Sequence, residues 1–570
     1  MSALVAILLL LLVPALMQAV DWLRRRRNYQ WLMAMLGALL AWPAVYYTRL
    51  SLPLSIAPLI WQPEDLFPTS PALLIDETSW VFAITLATLL LAVMLTSIAR
   101  LRRTSAPQPD TQPQGGDPQS PSSDQDTAET PSSAQSSAQG ANWRAWAGSL
   151  TLTSLGLVAV LSGNLLTLLL AWAALDIVEL LMILRQVTTA PEKRQVTFSF
   201  SARIAGIALF MLAGIIIWSQ GGTLTYQSIS PQASLVLLLS AGLRLGLLPL
   251  HIPLTNELSL RRGLGTMLRL VPVAASLILI VRTAETGISA PASLILLGFT
   301  ALAGLYGGVG WLRASDELSG RPYWILAVTS LALASAIQAQ PLASLSWSLA
   351  ALIPGSLLFL SSLRRRFLAP ILLISALCLT GLPFTPTWAG TLVIQAPPAS
   401  AGLLELILSY LWSLAFFIIH ALTLAGYLHH SLRGIFIPSQ EAQPPVERWV
   451  WLLYPLGLVI LPVLHLSLGF TLQPDPAQAS LLLWIEGAAA LALAAAIWYY
   501  RLQPGRRPWS AGLPRGERKW LSSEIFYRIV EGLLRLGSQV TRLISAVLEG
   551  EAGILWALVV LALLLVFLQR

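Results

Sequence analysis

The sequence predicts an all-α membrane protein, a polytopic bundle of roughly sixteen transmembrane helices. Three observations predict it. Hydrophobic residues make up 56% of the 570 positions and charged residues only 11%, where soluble domains carry about 25% charged. Mean hydropathy is +0.70. Apolar runs long enough to cross a bilayer recur along nearly the whole chain. So little polar surface excludes a soluble globular protein, and the spread of the runs excludes a single anchor. The net charge of +8 then reads as basic cytoplasmic loops rather than as a nucleic-acid-binding face. The single cysteine, Cys378, excludes an internal disulfide and any zinc or iron–sulfur site built on cysteines.

By run length the spans fall near 2–20, 30–48, 78–100, 145–162, 164–184, 197–218, 232–252, 263–282, 290–312, 322–340, 343–363, 367–391, 402–428, 449–470, 478–500 and 551–568. The first is no secretory signal: it lacks a basic leading region, and Arg24 to Arg27 follow it. Basic residues then cluster after the odd-numbered spans. Examples are Arg100, Arg102 and Arg103, then Lys193 and Arg194, Arg261 and Arg262, Arg364 to Arg366, and Arg506 and Arg507. The positive-inside rule places these loops in the cytoplasm and both termini outside an inner, cytoplasmic membrane.

Two stretches are not spans. Residues 104–142 are rich in Pro, Gln and Ser and carry acids such as Asp110 and Asp124 but no Lys or Arg. They read as a disordered cytoplasmic linker. In 519–549, Ile525, Ile529, Leu533, Leu536, Val540, Ile544 and Val547 recur at helical spacing. This predicts an amphipathic lateral helix along the cytoplasmic face.

Span 7 carries Pro249 and Pro253 near its end, and span 12 carries Pro383 and Pro386. Proline removes a helix hydrogen bond, and the freed groups must face protein or a watery cavity. Each break alone also fits an ordinary kink. The two lie an odd number of spans apart, so the helices run in opposite directions. Such a pair points to two inverted five-helix repeats with a transport site between them. The expected organisation is N-terminal spans in 1–103, the linker in 104–142, the repeats in 143–285 and 286–435, two more spans in 436–507, the lateral segment in 508–550 and a last span in 551–570.

At these residues the chain resembles a known family, the antiporter-like, proton-conducting membrane subunits of respiratory complex I, membrane-bound hydrogenases and multisubunit cation/proton antiporters. PALLIDETSWVFAITLATLLLAVMLTSIA (71–99) resembles the start of its third helix. LSGNLLTLLLAWAALDIVELL (161–181) is similar to its fifth helix, LRLGLLPLHIPL (243–254) to its seventh and GLPFTPTWAGTL (381–392) to its twelfth. The end of the chain, EGEAGILWALVVLALLL, also resembles antiporter-type members.

The resemblance implies a charged axis along the membrane middle, and this chain departs from it. The family's helix 5 glutamate falls on Ala173, its helix 7 lysine on Arg244 and its helix 12 lysine on Thr391. The helix 7 histidine is retained as His251, and Arg269 is the candidate in helix 8. Asp176 follows Ala173 by about one turn on nearly the same face and stands in for the glutamate; Glu179 is one turn further. The resemblance pairs Asp176 with Arg244, as a proton relay or as a static pair between helices 5 and 7. Arginine keeps its proton, so a relay would depend on Asp176, water and His251. Thr391 carries no charge. Arg203 and His420 read as packing or interface residues.

Nucleotide fingerprints, metal-ligand spacings and nucleophile elbows are not found, so no cofactor or metal is expected. The resemblance implies a membrane subunit of a complex I-like (NADH:quinone oxidoreductase or related) or cation/proton antiporter-like assembly. Such a subunit takes part in proton translocation while redox chemistry sits on others, and is at most a translocase subunit. Its partners would be other membrane subunits and lipid, with no nucleic acid. Two alternatives stay open: a degenerate, non-conducting structural subunit, and an unrelated secondary transporter.

Overall fold

The structure, a computed structural model, describes residues 2–23, 29–57, 69–101, 132–187, 190–250, 262–361, 368–394, 403–436, 448–473 and 481–502. The helices among them, in chain order, are α1 (Ser2–Trp22), α2 (Tyr29–Tyr46), α3 (Glu77–Leu101), α4 (Ser132–Val160) and α5 (Leu165–Leu184). There follow α6 (Ala190–Ser219), α7 (Pro231–Leu245), α8 (Arg262–Thr283), α9 (Ala292–Arg313) and α10 (Arg321–Ile337). The last are α11 (Pro341–Leu360), α12 (Ala369–Leu377), α13 (Leu403–Phe436), α14 (Arg448–Thr471) and α15 (Leu481–Leu502). Eleven of the described helices are long and apolar enough to cross a membrane, and α7 and α10 are shorter apolar helices. The chain is therefore a polytopic helical membrane protein.

The helices differ in what surrounds them. α8 is enclosed along its whole apolar length, and α3 and α11 nearly so, while α1, α2 and α15 leave most of theirs outside. A helix apolar on every side is stable either in the centre of a bundle or against lipid. The exposed leucines of α1 and α2, among them Leu8, Leu12, Leu32 and Leu36, therefore mark a lipid-facing or subunit-facing wall. Many hydroxyls inside the bundle return to their own helix. Thr85 donates to the Val81 carbonyl (2.8 Å), Thr88 to Ile84 (2.8 Å) and Thr329 to Ile325 (2.6 Å). These bonds satisfy polar groups that no water reaches.

The structure corrects the sequence reading at several places. The chain is not purely helical. Strands β1 (Leu54–Ile56) and β2 (Leu73–Ile75) pair antiparallel, with Leu54 opposite Ile75 and Leu73 bridging to Ser162. Three-residue strands of Leu, Ile and Ser do not stand out in a chain that is apolar throughout. α4 begins at Ser132, inside the stretch read as linker; residues 102–131 lie outside the described residues.

Spans 7 and 12 stop earlier than their apolar runs. α7 ends at Gly246, which adopts φ +82° and donates its N–H to Gly242 and Leu243. Leu247 also donates to Gly242 (2.8 Å), a glycine-dependent helix stop. α12 gives way to irregular backbone with Gly381 at φ +69°, and the chain then makes a tight 3₁₀ turn over Ala389–Ile394. An apolar run does not register such stops, because the residues beyond them stay apolar. His251, Pro253, the lateral helix and the last span lie outside the described residues.

Candidate functional site

A run of charged side chains is enclosed where α5, α6, α7 and α8 meet. α5 starts at an Asn164 cap, whose Oδ1 accepts from the Thr167 N–H (2.8 Å) and the Thr167 hydroxyl (2.7 Å). From that start, helical spacing puts Trp172, Asp176 and Glu179 on the buried face of α5. Ala173, the position the resemblance assigns to a glutamate, is only partly buried, off that face. α7 starts at Ser230, which caps Ala233, with Pro231 in its first turn. It delivers Arg244 at its last turn, just before the break.

Asp176 and Arg244 bond in two-pronged fashion. Nη1 lies 2.5 Å from Oδ2, and Nη2 lies 2.8 Å from Oδ1. The Arg244 guanidinium also rests over the Trp172 ring, 4.2 Å from its centre. Trp172 is fixed by donating Nε1 to the Ala275 carbonyl of α8 (2.9 Å). Gly206 of α6 makes room for the arginine, since a Cβ there would sit 2.8 Å from Arg244 Cγ and 3.2 Å from the Ser240 carbonyl. Ser240 donates back to the Gly206 carbonyl (2.6 Å). This close contact of α6 with α7 aligns Arg203 with the cluster.

Arg203 is the member that sequence reasoning set aside as packing. Its Nη1 reaches Asp176 Oδ1 (3.3 Å) and Glu179 Oε2, and its Nη2 reaches Glu179 Oε1 (3.0 Å). It thereby bridges both carboxylates. Glu179 is fully buried, and Asp176, Arg203, Arg244 and Arg269 are each at most 7% exposed. The signal that could have found Arg203 is a lone arginine inside an apolar span, a residue that normally faces a bundle interior and a partner. Arg269 of α8 joins Arg203 and Arg244 in lining a cavity of about 20 Å³, closed by Pro272, Ser276 and Ile325 of α10. That volume holds one water molecule. The Arg269 guanidinium adds a third positive charge to the same enclosure.

Three arginines thus face two carboxylates in an enclosed site. Every cation in it is an arginine, which keeps its proton under all ordinary conditions. The groups able to gain and lose one are Asp176 and Glu179. Thr391 is fully buried and spends its hydroxyl on the Trp388 carbonyl (2.7 Å). Of the break prolines, Pro249, Pro383 and Pro386 are described, and Pro249 is exposed.

Two further ion pairs lie at helix ends. Arg282 of α8 meets Asp76 before α3 (2.9 Å) and covers the Tyr226 ring at 4.6 Å. Burial disfavours the Asp76 charge, but Arg282 and the Ser79 hydrogen bonds outweigh it and hold the carboxyl below its usual range. At the start of α8, Arg262 meets Glu317 (2.7 Å) and donates to the Ser361 carbonyl (2.9 Å).

Fold and site together define a polytopic helical membrane protein with an arginine–carboxylate cluster enclosed beside an interrupted helix. The fold is shared with chains of several solved membrane complexes. One such structure is a chain of the Mrp complex from Dietzia sp., with TM-score 0.66, 14% identity, and cover of 99% of this chain and 63% of that one. A chain of the membrane-bound sulfane sulfur reductase, an archaeal respiratory membrane complex, has TM-score 0.58 and 14% identity, with cover of 98% and 99%. A chain of respiratory complex I from Thermus thermophilus has TM-score 0.58 and 18% identity, with cover of 87% and 100%. No protein-family model and no curated protein matches the sequence.

Proposed function

We propose that this chain is a membrane subunit of a multisubunit assembly of the complex I, Mrp or sulfane sulfur reductase kind, and that it takes part in proton translocation driven by chemistry on other subunits. The observation that carries this reading is the Asp176–Glu179 pair, held by arginines beside the broken α7, two of which also line a water-sized cavity with Arg269. Enclosing charge in a membrane costs several kcal/mol unless it is compensated, and such residues mark ion pathways. In this reading Arg203, Arg244 and Arg269 are fixed counter-charges. A proton moves on and off a carboxylate as its arginine contacts loosen, with water in the cavity as carrier. His251 is a relay candidate beyond the break.

The two inverted repeats belong to this reading. What supports them is that both α7 and α12 stop before a positive-φ glycine, Gly246 and Gly381, each followed within three residues by proline. The basic loops favour a cytoplasmic-membrane location with both termini outside. The test is proton translocation by the purified, reconstituted assembly carrying Asp176→Asn or, separately, Arg244→Ala. Loss of translocation with assembly intact is expected; unchanged translocation in both variants refutes the relay.

One observation favours a second reading, a structural subunit that does not conduct. Two-pronged arginine contacts fix both carboxylates, and neither arginine can release a proton. In that case both variants weaken assembly and leave translocation per assembled complex unchanged.

A further inference from the structure

The second break has its own surroundings, which the sequence reading did not connect. Where α12 stops, backbone groups lose their helix partners. Thr387 donates to the Cys378 carbonyl (2.8 Å) and accepts from the Gly381 N–H (3.0 Å). The Leu379 carbonyl is met by Nε2 of His420 on α13, at 2.8 Å. A carbonyl only accepts, so Nε2 carries the hydrogen and Nδ1 bears the lone pair. His420 is 1% exposed, and its Nδ1 has no hydrogen-bond partner among the described residues.

Gly381 is where α13 and α15 approach the break together. A Cβ on it would stand 3.1 Å from His420 Cε1 and 3.9 Å from Gly487 Cα. A Cβ on Gly487 would in turn stand 2.5 Å from the Gly381 carbonyl oxygen. The residue before Gly487 is Glu486, whose Oε2 is enclosed without a hydrogen-bond partner among the described residues. On α14, Gly469 packs against Pro386 of the same break, and one turn before it stands His465. That imidazole is fully buried, and neither ring nitrogen has a partner among the described residues.

Helix α13 thus brings His420 onto the broken segment, and the backbones of α14 and α15 pack on it at Gly469 and Gly487, within a turn of His465 and Glu486 in sequence; each of the three side chains keeps a polar atom unengaged among the described residues. An enclosed polar atom without a partner is unfavourable, so three on the helices that pack on one break point to a shared use. We propose that His420, Glu486 and His465 form a second, proton-accepting site around the α12 break, built from side chains other than the Thr391 position. The inference rests on the proton-translocation reading above. The neutral His420 ring takes a proton on the Nδ1 lone pair and becomes imidazolium. That proton comes by way of water from the Glu486 carboxylic acid, which becomes a carboxylate and takes up a new proton through water near the start of α15; the imidazolium then gives its proton to water and returns to the neutral ring. His465 takes and returns a proton in the same way on the α14 side.

Dicyclohexylcarbodiimide, which modifies protonated carboxyls in apolar surroundings, tests this on the whole assembly in proteoliposomes. A carboxyl without a counter-charge in an apolar medium takes up a proton rather than remain ionised. The expected result is an adduct on Glu486 by peptide mass spectrometry, with Asp176 and Glu179 unmodified in their arginine contacts. Glu486→Gln and His420→Gln each lower proton flux by about a hundredfold or more, and the double variant falls no further than the lower single. His420→Gln keeps an N–H donor for Leu379 and removes only the basic nitrogen, so its melting temperature stays near that of the parent. Wild-type flux in both single variants overturns the site, as does an adduct on Asp176 or Glu179 in place of Glu486. A Glu486 adduct in an assembly without proton flux keeps the site and refutes the transport reading. Intact flux with Glu486 unmodified refutes the site and keeps transport.

Discussion

Replacing Arg203 by methionine is the sharpest perturbation of the buried cluster. Both hydrogen bonds that Glu179 makes among the described residues come from Arg203, and Glu179 is 0% exposed. Asp176 loses only its longer contact of 3.3 Å and keeps both prongs of Arg244. The variant therefore strands one fully buried carboxyl. Breaking a buried pair by removing one partner costs about 3–5 kcal/mol. A loss of about 4 kcal/mol is close to a thousandfold in the folded-to-unfolded ratio. Restoring balance with an apolar pair, Glu179→Leu with Arg203→Met, is near neutral by the same physics, so the double variant recovers most of the loss. The assay is unfolding in mild detergent against increasing sodium dodecyl sulfate, read by the fraction still folded. A single variant of parental stability refutes the account of Arg203 as the partner of Glu179. A double variant no better than the single one refutes the assignment of the cost to a stranded charge.

Three further outcomes are checked by similar means. Asn164→Ala removes the α5 cap and the 2.7 Å bond from Asn164 Nδ2 to the Ser70 carbonyl, and lowers stability by about 1–2 kcal/mol in the same titration. Gly381→Ala puts a side chain on a residue at φ +69° and a Cβ 2.7 Å from Thr391 Cγ2. It costs at least about 1–2 kcal/mol, and adding Thr391→Ser, which removes that methyl, recovers only the contact part. The Asp76–Arg282 pair gives a pH signature. Arg282 and the Ser79 hydrogen bonds hold the folded carboxyl below the ordinary aspartate value of about 3.9, so its contribution is fully present above about pH 4 and is lost as pH falls through the lower folded value. Asp76→Asn removes this contribution and flattens that acid limb, which thermal melts between about pH 5 and pH 2 measure.

Much of the architecture was legible because lipid imposes simple rules. A spanning helix needs about twenty apolar residues, and run length therefore located every described helix from α1 to α15. What run length missed follows from the same rule. α7 and α12 end at Gly246 and Gly381, and the chain beyond both stays apolar. A break in hydrogen bonding leaves no trace in hydropathy. Proline marked the neighbourhood of both breaks, and glycine set the exact residue. The β1–β2 hairpin is too short to show a period of two against an apolar background.

The site was legible by halves. Asp176 and Glu179 stand out because an acid in an apolar span is rare, and helical spacing places them on one face. Arg203 is equally rare in its span, yet its role depends on how α6 lies against α7. That packing is fixed by Gly206 and Ser240, which let the Arg244 stem pass α6 and bring Arg203 between the two carboxylates. Small residues carry no chemistry of their own, so a search for charged residues passes over them. The same holds at the second break, where Gly381 and Gly487 bring the backbone of α15 against the α12 segment, one residue from Glu486. At both breaks a pair of small residues sets how closely the neighbouring helices approach. Enlarging Gly206 or Gly487 to alanine therefore disturbs the neighbouring charges without altering any of them. A shift in carbodiimide labelling of Asp176, Glu179 or Glu486 in those variants, at unchanged charge content, is the measurement that separates packing control from charge content.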